Sequence, residues 1–124
     1  MTPYNFDFSF PRSGAPVVTL SATGIAFNAA SRSLLGFPAQ VDIGYDRKAK
    51  VIGVCAHNEG STAEPYMFEA REKDGWVRIH AKDFSRYLEQ QTGMKFRDKA
   101  KQFIPEFDEE NGMLIVILDE EHLK

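Results

Sequence analysis

A single cysteine, Cys55, stands in 124 residues, so no disulfide can form within the chain. Histidine is almost as scarce, at three residues, and zinc sites draw on several Cys or His side chains converging at short spacing. The closest approach to such a site is Cys55-Ala56-His57, and two ligands one residue apart at a strand end do not make a metal site. Long apolar runs are missing too. The longest, Met113 to Leu118, is far shorter than the roughly 20 residues a helix needs to cross a bilayer, so no membrane association is expected. No Gly-x-x-x-x-Gly-Lys loop occurs, and no Gly-x-Gly-x-x-Gly follows a strand, which leaves no cofactor to assign and argues against a nucleotide-driven enzyme. The start, Met1-Thr2-Pro3-Tyr4-Asn5, has neither a basic segment nor an apolar signal core, so a reducing cytoplasm is the expected location.

What is present is enough apolar and aromatic material for one folded domain over residues 1–124, 43% and 12% of the chain. The formal charge of −3 gives no global attraction to nucleic acid. Its distribution is uneven. Residues 69–101 hold nine Lys/Arg against six Asp/Glu, and residues 102–124 hold one Lys against seven Asp/Glu.

Tyr4, Phe6, Phe8 and Phe10 alternate with small polar residues at the period of a half-buried strand, so all four share a face that packs into the core or meets a partner. Val17 to Leu20 and Ile25 to Phe27 follow as strands. Asn28 then suits a helix N-cap, with the helix over 29–35 stopped by Gly36 and Pro38. Val41, Ile43 and Tyr45 alternate before the charged turn 46–50, and Val51 to Val54 returns as the second arm of a hairpin. Residues 57–65 are polar and broken by Gly and Pro, the mark of a linker. Tyr66 to Ala70 and Trp76 to Ile79 are expected to pair through Asp74-Gly75. A helix over 82–92 ends at Gly93, and a last hairpin joins residues 102–107 to 113–118.

The two hairpins align without a gap. Gln40 to Asp46 lies over Gln102 to Asp108, and Val51 to Val54 over Met113 to Val116, each sixty-two residues on. Upstream, Ile25 to Asn28 matches Val77 to His80, which makes His80 a helix-start residue parallel to Asn28. Each copy continues with a helix and a glycine, Gly36 or Gly93. The reading is an α+β fold of two duplicated strand-strand-helix-hairpin units, about 17–56 and 66–118, each with a hydrophobic face too small to bury alone. Packed together, they make a pseudo-two-fold, barrel-like sheet with two helices, which removes exposed edges. Pro105, lacking an amide hydrogen, marks an edge or bulge.

The segments Gly24-Ile25-Ala26-Phe27-Asn28, Leu34-Leu35-Gly36, Val41 to Asp46 and Lys50 to Val54 resemble the swapped-hairpin domain of AbrB and MazE type regulators. The likeness covers about residues 17–56, with a weaker echo in 66–118, so the chain looks like two such units fused. The whole chain also resembles small uncharacterised bacterial proteins, some from mobile elements. The swapped-hairpin likeness implies DNA binding by a transition-state regulator or antitoxin, through basic residues on one face. This chain departs from that pattern, because the strand before Asn28 carries no arginine.

Catalysis finds little support. Cys55 would need a base, for which His80 is the distant candidate, and an orienting acid. The runs Asp108-Glu109-Glu110 and Asp119-Glu120-Glu121 are consecutive carboxylates of the sort that stay solvated, so no catalytic residue is assigned. The positive signal is Lys95, Arg97, Lys99 and Lys101. In an extended segment these four would share one side and could meet phosphates, joined by Arg47, Lys48 and Lys50 of the first hairpin turn. The aromatic stripe offers a stacking surface for single strands if it is not core. The expectation is a non-catalytic nucleic-acid-binding regulator. The alternative is a protein-interaction module or homodimer that uses an exposed aromatic strand or a sheet edge.

Overall fold

A computed structural model of the chain describes Pro3, Tyr4, Phe6, residues 14–97 and residues 99–124. In chain order the elements are β1 (Val18–Ser21), β2 (Gly24–Phe27), α1 (Ala29–Leu35), β3 (Gln40–Asp46), β4 (Val51–Ala56), β5 (Tyr66–Met67), β6 (Glu72–Lys73), β7 (Trp76–His80), α2 (Lys82–Thr92), β8 (Lys101–Phe103), β9 (Glu106–Asp108) and β10 (Met113–Ile117). Short 3₁₀ turns occupy Glu69–Arg71 and Glu120–His122.

Local chemistry sets the helix ends. The Asn28 side-chain oxygen accepts the Ser31 amide at 3.0 Å, capping α1, and also the Val17 amide at 2.9 Å. One side chain thereby starts the helix and ties down the segment leading into β1. Gly36 ends α1 at φ 81 and Gly93 ends α2 at φ 77, a left-handed conformation that glycine adopts without strain. The expected parallel at the second helix fails. Its N-cap is Ala81, which offers no side-chain acceptor, and His80 remains an exposed strand residue.

Among the described residues ten strands form two five-stranded antiparallel sheets. The first runs β6-β7-β2-β1-β8 and the second β5-β3-β4-β10-β9. Strict alternation gives each sheet an apolar inner face: Val18, Leu20, Ile25, Phe27, Val77 and Phe103 in the first, Val41, Ile52, Val54, Leu114 and Val116 in the second. These side chains belong to one hydrophobic cluster, to which α2 adds Leu88 and the loop before the first 3₁₀ turn adds Phe68. The Phe68 ring meets Phe27 edge-on at 5.2 Å. Burying a side chain of this size contributes about 1.5–3 kcal/mol.

The sheets do not close into a barrel, which corrects the expected architecture. The end strands β5, β6, β8 and β9 are two or three residues long and cannot carry a continuous ladder round to the other sheet. Pro105 acts at this point. It lies between β8 and β9, so the stretch matching the unbroken β3 is cut in two, with β8 in the first sheet and β9 in the second. The outer edge of β8 is met by the C-terminal residues, where Phe103 bridges Leu123 and the Lys124 amide donates to the Gln102 carbonyl at 2.9 Å.

Other expectations are refined. Asp74 and Gly75, both at positive φ, do form a tight turn, but the strand entering it is β6; Tyr66 and Met67 pair with β3 of the other sheet. Buried Phe68 redirects the chain, its amide donating to the Ala39 carbonyl at 2.9 Å. The stretch 94–97 forms no strand. Phe96 is 3% exposed, and its amide donates to the Glu89 carboxylate at 2.8 Å, so this segment wraps the end of α2. Of the aromatic stripe, Phe8 and Phe10 lie outside the described residues; Tyr4 and Phe6 are 71% and 63% exposed and are not core. Among the described residues no helix is long and apolar enough to cross a membrane.

Candidate nucleic-acid interface

The inward alternation of the first sheet leaves the complementary set pointing away from the core. Two rows cross the strands: Gln102, Thr19, Ala26 and Arg78, then Ser21, Gly24 and His80. Small residues occupy the middle strands, while Trp76, Arg78, His80 and Gln102 stand at the sides. A sheet face with a low centre and tall flanks is concave, and three adjoining hollows share Thr19. The widest, about 470 Å³, extends to Lys99, Lys101 and Lys124. Among the described residues that line the three hollows, none is Asp or Glu.

Arg78 is the feature that distinguishes this face. Its guanidinium sits 5.8 Å from the centre of the Trp76 ring, which holds it in place through the ring's negative face without using its donors. Arg78 makes no hydrogen bond or ion pair with the described residues. Arg32 provides the contrast. It too lies over an aromatic ring, Phe37 at 5.3 Å, but both its Nε and one terminal nitrogen donate to Glu69, at 3.0 and 2.8 Å, and the other donates to the Gly75 carbonyl at 3.2 Å. The Glu69 bonds hold the Arg32 pKa above its ordinary value. Arg32 joins α1 to the β6–β7 turn, and all three of its nitrogens are engaged there.

The seven cations singled out in the sequence fall in three places. Lys99 and Lys101 border the concave face. Lys95 and Arg97 line a separate hollow with Arg86, Glu89 and Gln90, away from the concave face. Arg47, Lys48 and Lys50 occupy the β3–β4 turn of the second sheet, in which Asp46 accepts the Lys48 and Ala49 amides. Arg78 and Trp76 were not singled out. The alternation Trp76-Val77-Arg78-Ile79-His80 carries the signal, since a strand that buries Val77 and Ile79 must present the other three.

The chemical alternatives look weaker in three dimensions. Cys55 and His80 lie on different sheets. Burial, with a smaller contribution from Asp42, pushes the Cys55 thiol up, the wrong direction for a nucleophile. His57 Nδ1 lies 2.8 Å from Asp42, whose other oxygen accepts the Ser61 hydroxyl at 2.7 Å, and these bonds hold the Asp42 carboxyl below its ordinary range. The three side chains tie the 57–65 loop to β3. Among the described residues no group of three or more His, Cys, Asp or Glu is placed to hold a metal ion. No protein-family model, curated protein or solved structure matches the chain.

Proposed function

We propose that this protein is a non-catalytic nucleic-acid-binding regulator that meets the phosphate backbone with the concave outer face of its first sheet. The observation that carries the reading is Arg78, without an ion-pair partner among the described residues and held over Trp76, beside hollows edged by Lys99, Lys101 and Lys124. Backbone contacts of this kind release counterions, so affinity falls as a power of salt concentration. With four such cations engaged on duplex DNA, log K against log salt should have a slope of about −3 to −4. Fluorescence anisotropy on a short DNA duplex and on a single-stranded RNA tests this, with Arg78→Glu and the double change Lys99→Glu/Lys101→Glu expected to abolish binding. Absence of binding at low salt to either probe overturns the proposal.

The plan of the chain supports a relation to swapped-hairpin regulators through duplication. In the β3–β4 hairpin Asp46 pairs with Val51, and sixty-two residues on Asp108 pairs with Met113. Leu20 pairs with Ile25, and fifty-two residues on Glu72 pairs with Val77. Where the halves meet at the middle of each sheet, matching residues pair: Ala26 with Arg78 across β2 and β7, Gly53 with Ile115 across β4 and β10. A central register of this kind is what two equivalent units about a two-fold axis would give, and it supports the duplication reading. The protein-interaction alternative draws on the exposure of Tyr4 and Phe6.

A further inference from the structure

The outer face of the second sheet has the opposite character. Leu114, Val116, Ile52 and Val54 point into the core, so the residues between them on the two central strands point out: Val51 and Cys55 from β4, Met113, Ile115 and Ile117 from β10. All five are half-buried. The flanking strands present carboxylates at the same level. Asp42 and Asp46 stand on β3, and Glu106 and Asp108 on β9, the last two directly opposite Ile115 and Met113. An apolar stripe two strands wide is thus bordered by acid on both sides. A hollow of about 440 Å³ lies over it, with Gly44 and Gly53, a cross-strand pair, in its lining and Ala63 of the 57–65 loop at one wall.

We propose that this stripe docks a basic amphipathic helix of a protein partner. Two strands at about 4.8 Å spacing with their side chains match the roughly 10 Å width of a helix, and five residues of strand, about 17 Å, match three helical turns. The charges select the occupant. A helix with apolar residues at i, i+3, i+4 and i+7 and Lys or Arg on both shoulders seats its apolar face on the stripe and its cations on Asp46, Glu106 and Asp108, Asp42 being held by His57 and Ser61. A second copy using the same face would oppose acid to acid, and nucleic acid is repelled. The turn cations Arg47, Lys48 and Lys50 lie beyond the Val51 end of the stripe.

Gly44 provides the test, because a Cβ there meets nothing within 4 Å, whereas one at Gly53 would press on the Met113 sulfur at 2.9 Å. The probe is a synthetic Leu/Lys helical peptide of about eighteen residues, with a scrambled peptide of equal composition as control. Binding to the whole chain is followed by anisotropy and by amide shift mapping. The expected result is shifts confined to β3, β4, β9 and β10, with affinity at least tenfold lower in Gly44→Val and in Glu106→Lys, and unchanged in Arg78→Glu. Equal binding of the scrambled peptide, or shifts outside these strands, overturns the proposal. So does sedimentation showing a dimer that Gly44→Val dissociates, since the occupant would then be a second copy. A signal change at Tyr4 and Phe6 on peptide addition counts against it as well, by assigning the stripe to the chain's own N-terminal segment. A melting curve of each variant separates lost docking from lost fold.

Discussion

Gly24 lies so close to the neighbouring strand that a Cβ built on it would fall 1.9 Å from the Ile79 carbonyl oxygen. Its φ of 154 is also one that side chains rarely adopt. Both constraints come from backbone, which cannot swing aside. Gly24→Ala should therefore cost at least about 2 kcal/mol, from strain and overpacking together. Urea unfolding measures it, and a variant as stable as the parent would refute this account of the β2–β7 junction.

The two arginines over aromatic rings should part company in stability. Arg32→Ala strands Glu69 and the Gly75 carbonyl and should cost about 1.5–3 kcal/mol, with Arg32→Lys recovering little because an ammonium cannot span both carboxylate oxygens. Arg78→Ala should stay within about 0.5 kcal/mol of the parent. Equal losses at the two positions would mean that Arg78 is structural and not available to a ligand.

His122 should titrate above the usual histidine value of 6.5, chiefly because its Nδ1 lies 2.6 Å from Asp119, whose carboxyl is in turn held below the ordinary carboxylate range. The raised histidine pKa gives stability that is complete below the ordinary histidine range and is lost as pH rises through the shifted value. The depressed Asp119 contributes above the ordinary carboxylate range and is lost as pH falls through its own shifted pKa. Contact of Leu123 with Phe103 should thus be tightest at mildly acidic pH. Histidine proton shifts against pH report this directly, and Asp119→Asn should bring the midpoint back down.

The Tyr45 hydroxyl is buried and has no hydrogen-bond partner among the described residues, while its ring meets Tyr87 of α2 edge-on at 5.8 Å. Burial raises its pKa, with smaller contributions from Tyr87 and Asp46. Tyr45→Phe keeps the ring contact and removes the stranded polar atom. The melting temperature should hold or rise, corresponding to about 0–1 kcal/mol. A clear loss would point to a hydroxyl partner, such as a bound water, that the contacts above do not contain.

Much of this fold was legible in the residues, because burial imposes short-range patterns. Asn28, Gly36 and Gly93 marked their helix ends, and the alternation through Val41, Ile43 and Tyr45 placed a strand of the first hairpin. What was not legible depends on partners distant in sequence. Nothing in Tyr66-Met67 says that β3 is closer than β6, and Lys95-Phe96-Arg97 alternates in sequence without forming a strand, because burying Phe96 outweighed strand pairing. Lys99 and Lys101 of the candidate interface were picked out in the sequence, but Arg78 and Trp76 were missed for the same reason. Arg78 looks ordinary until the small side chains of Thr19, Gly24 and Ala26, fifty or more residues earlier, are found beside it.

Cutting the backbone anywhere between residues 57 and 65 would sever no ladder, yet each sheet would still hold strands from both sides of the cut. The two pieces could separate only by breaking β2 from β7, β1 from β8, β3 from β5 and β4 from β10 together, an event as costly as melting the whole. Proteolytic nicking there should leave a tenacious two-chain complex that elutes like the intact molecule, and the pieces, mixed after separate synthesis, should find each other again.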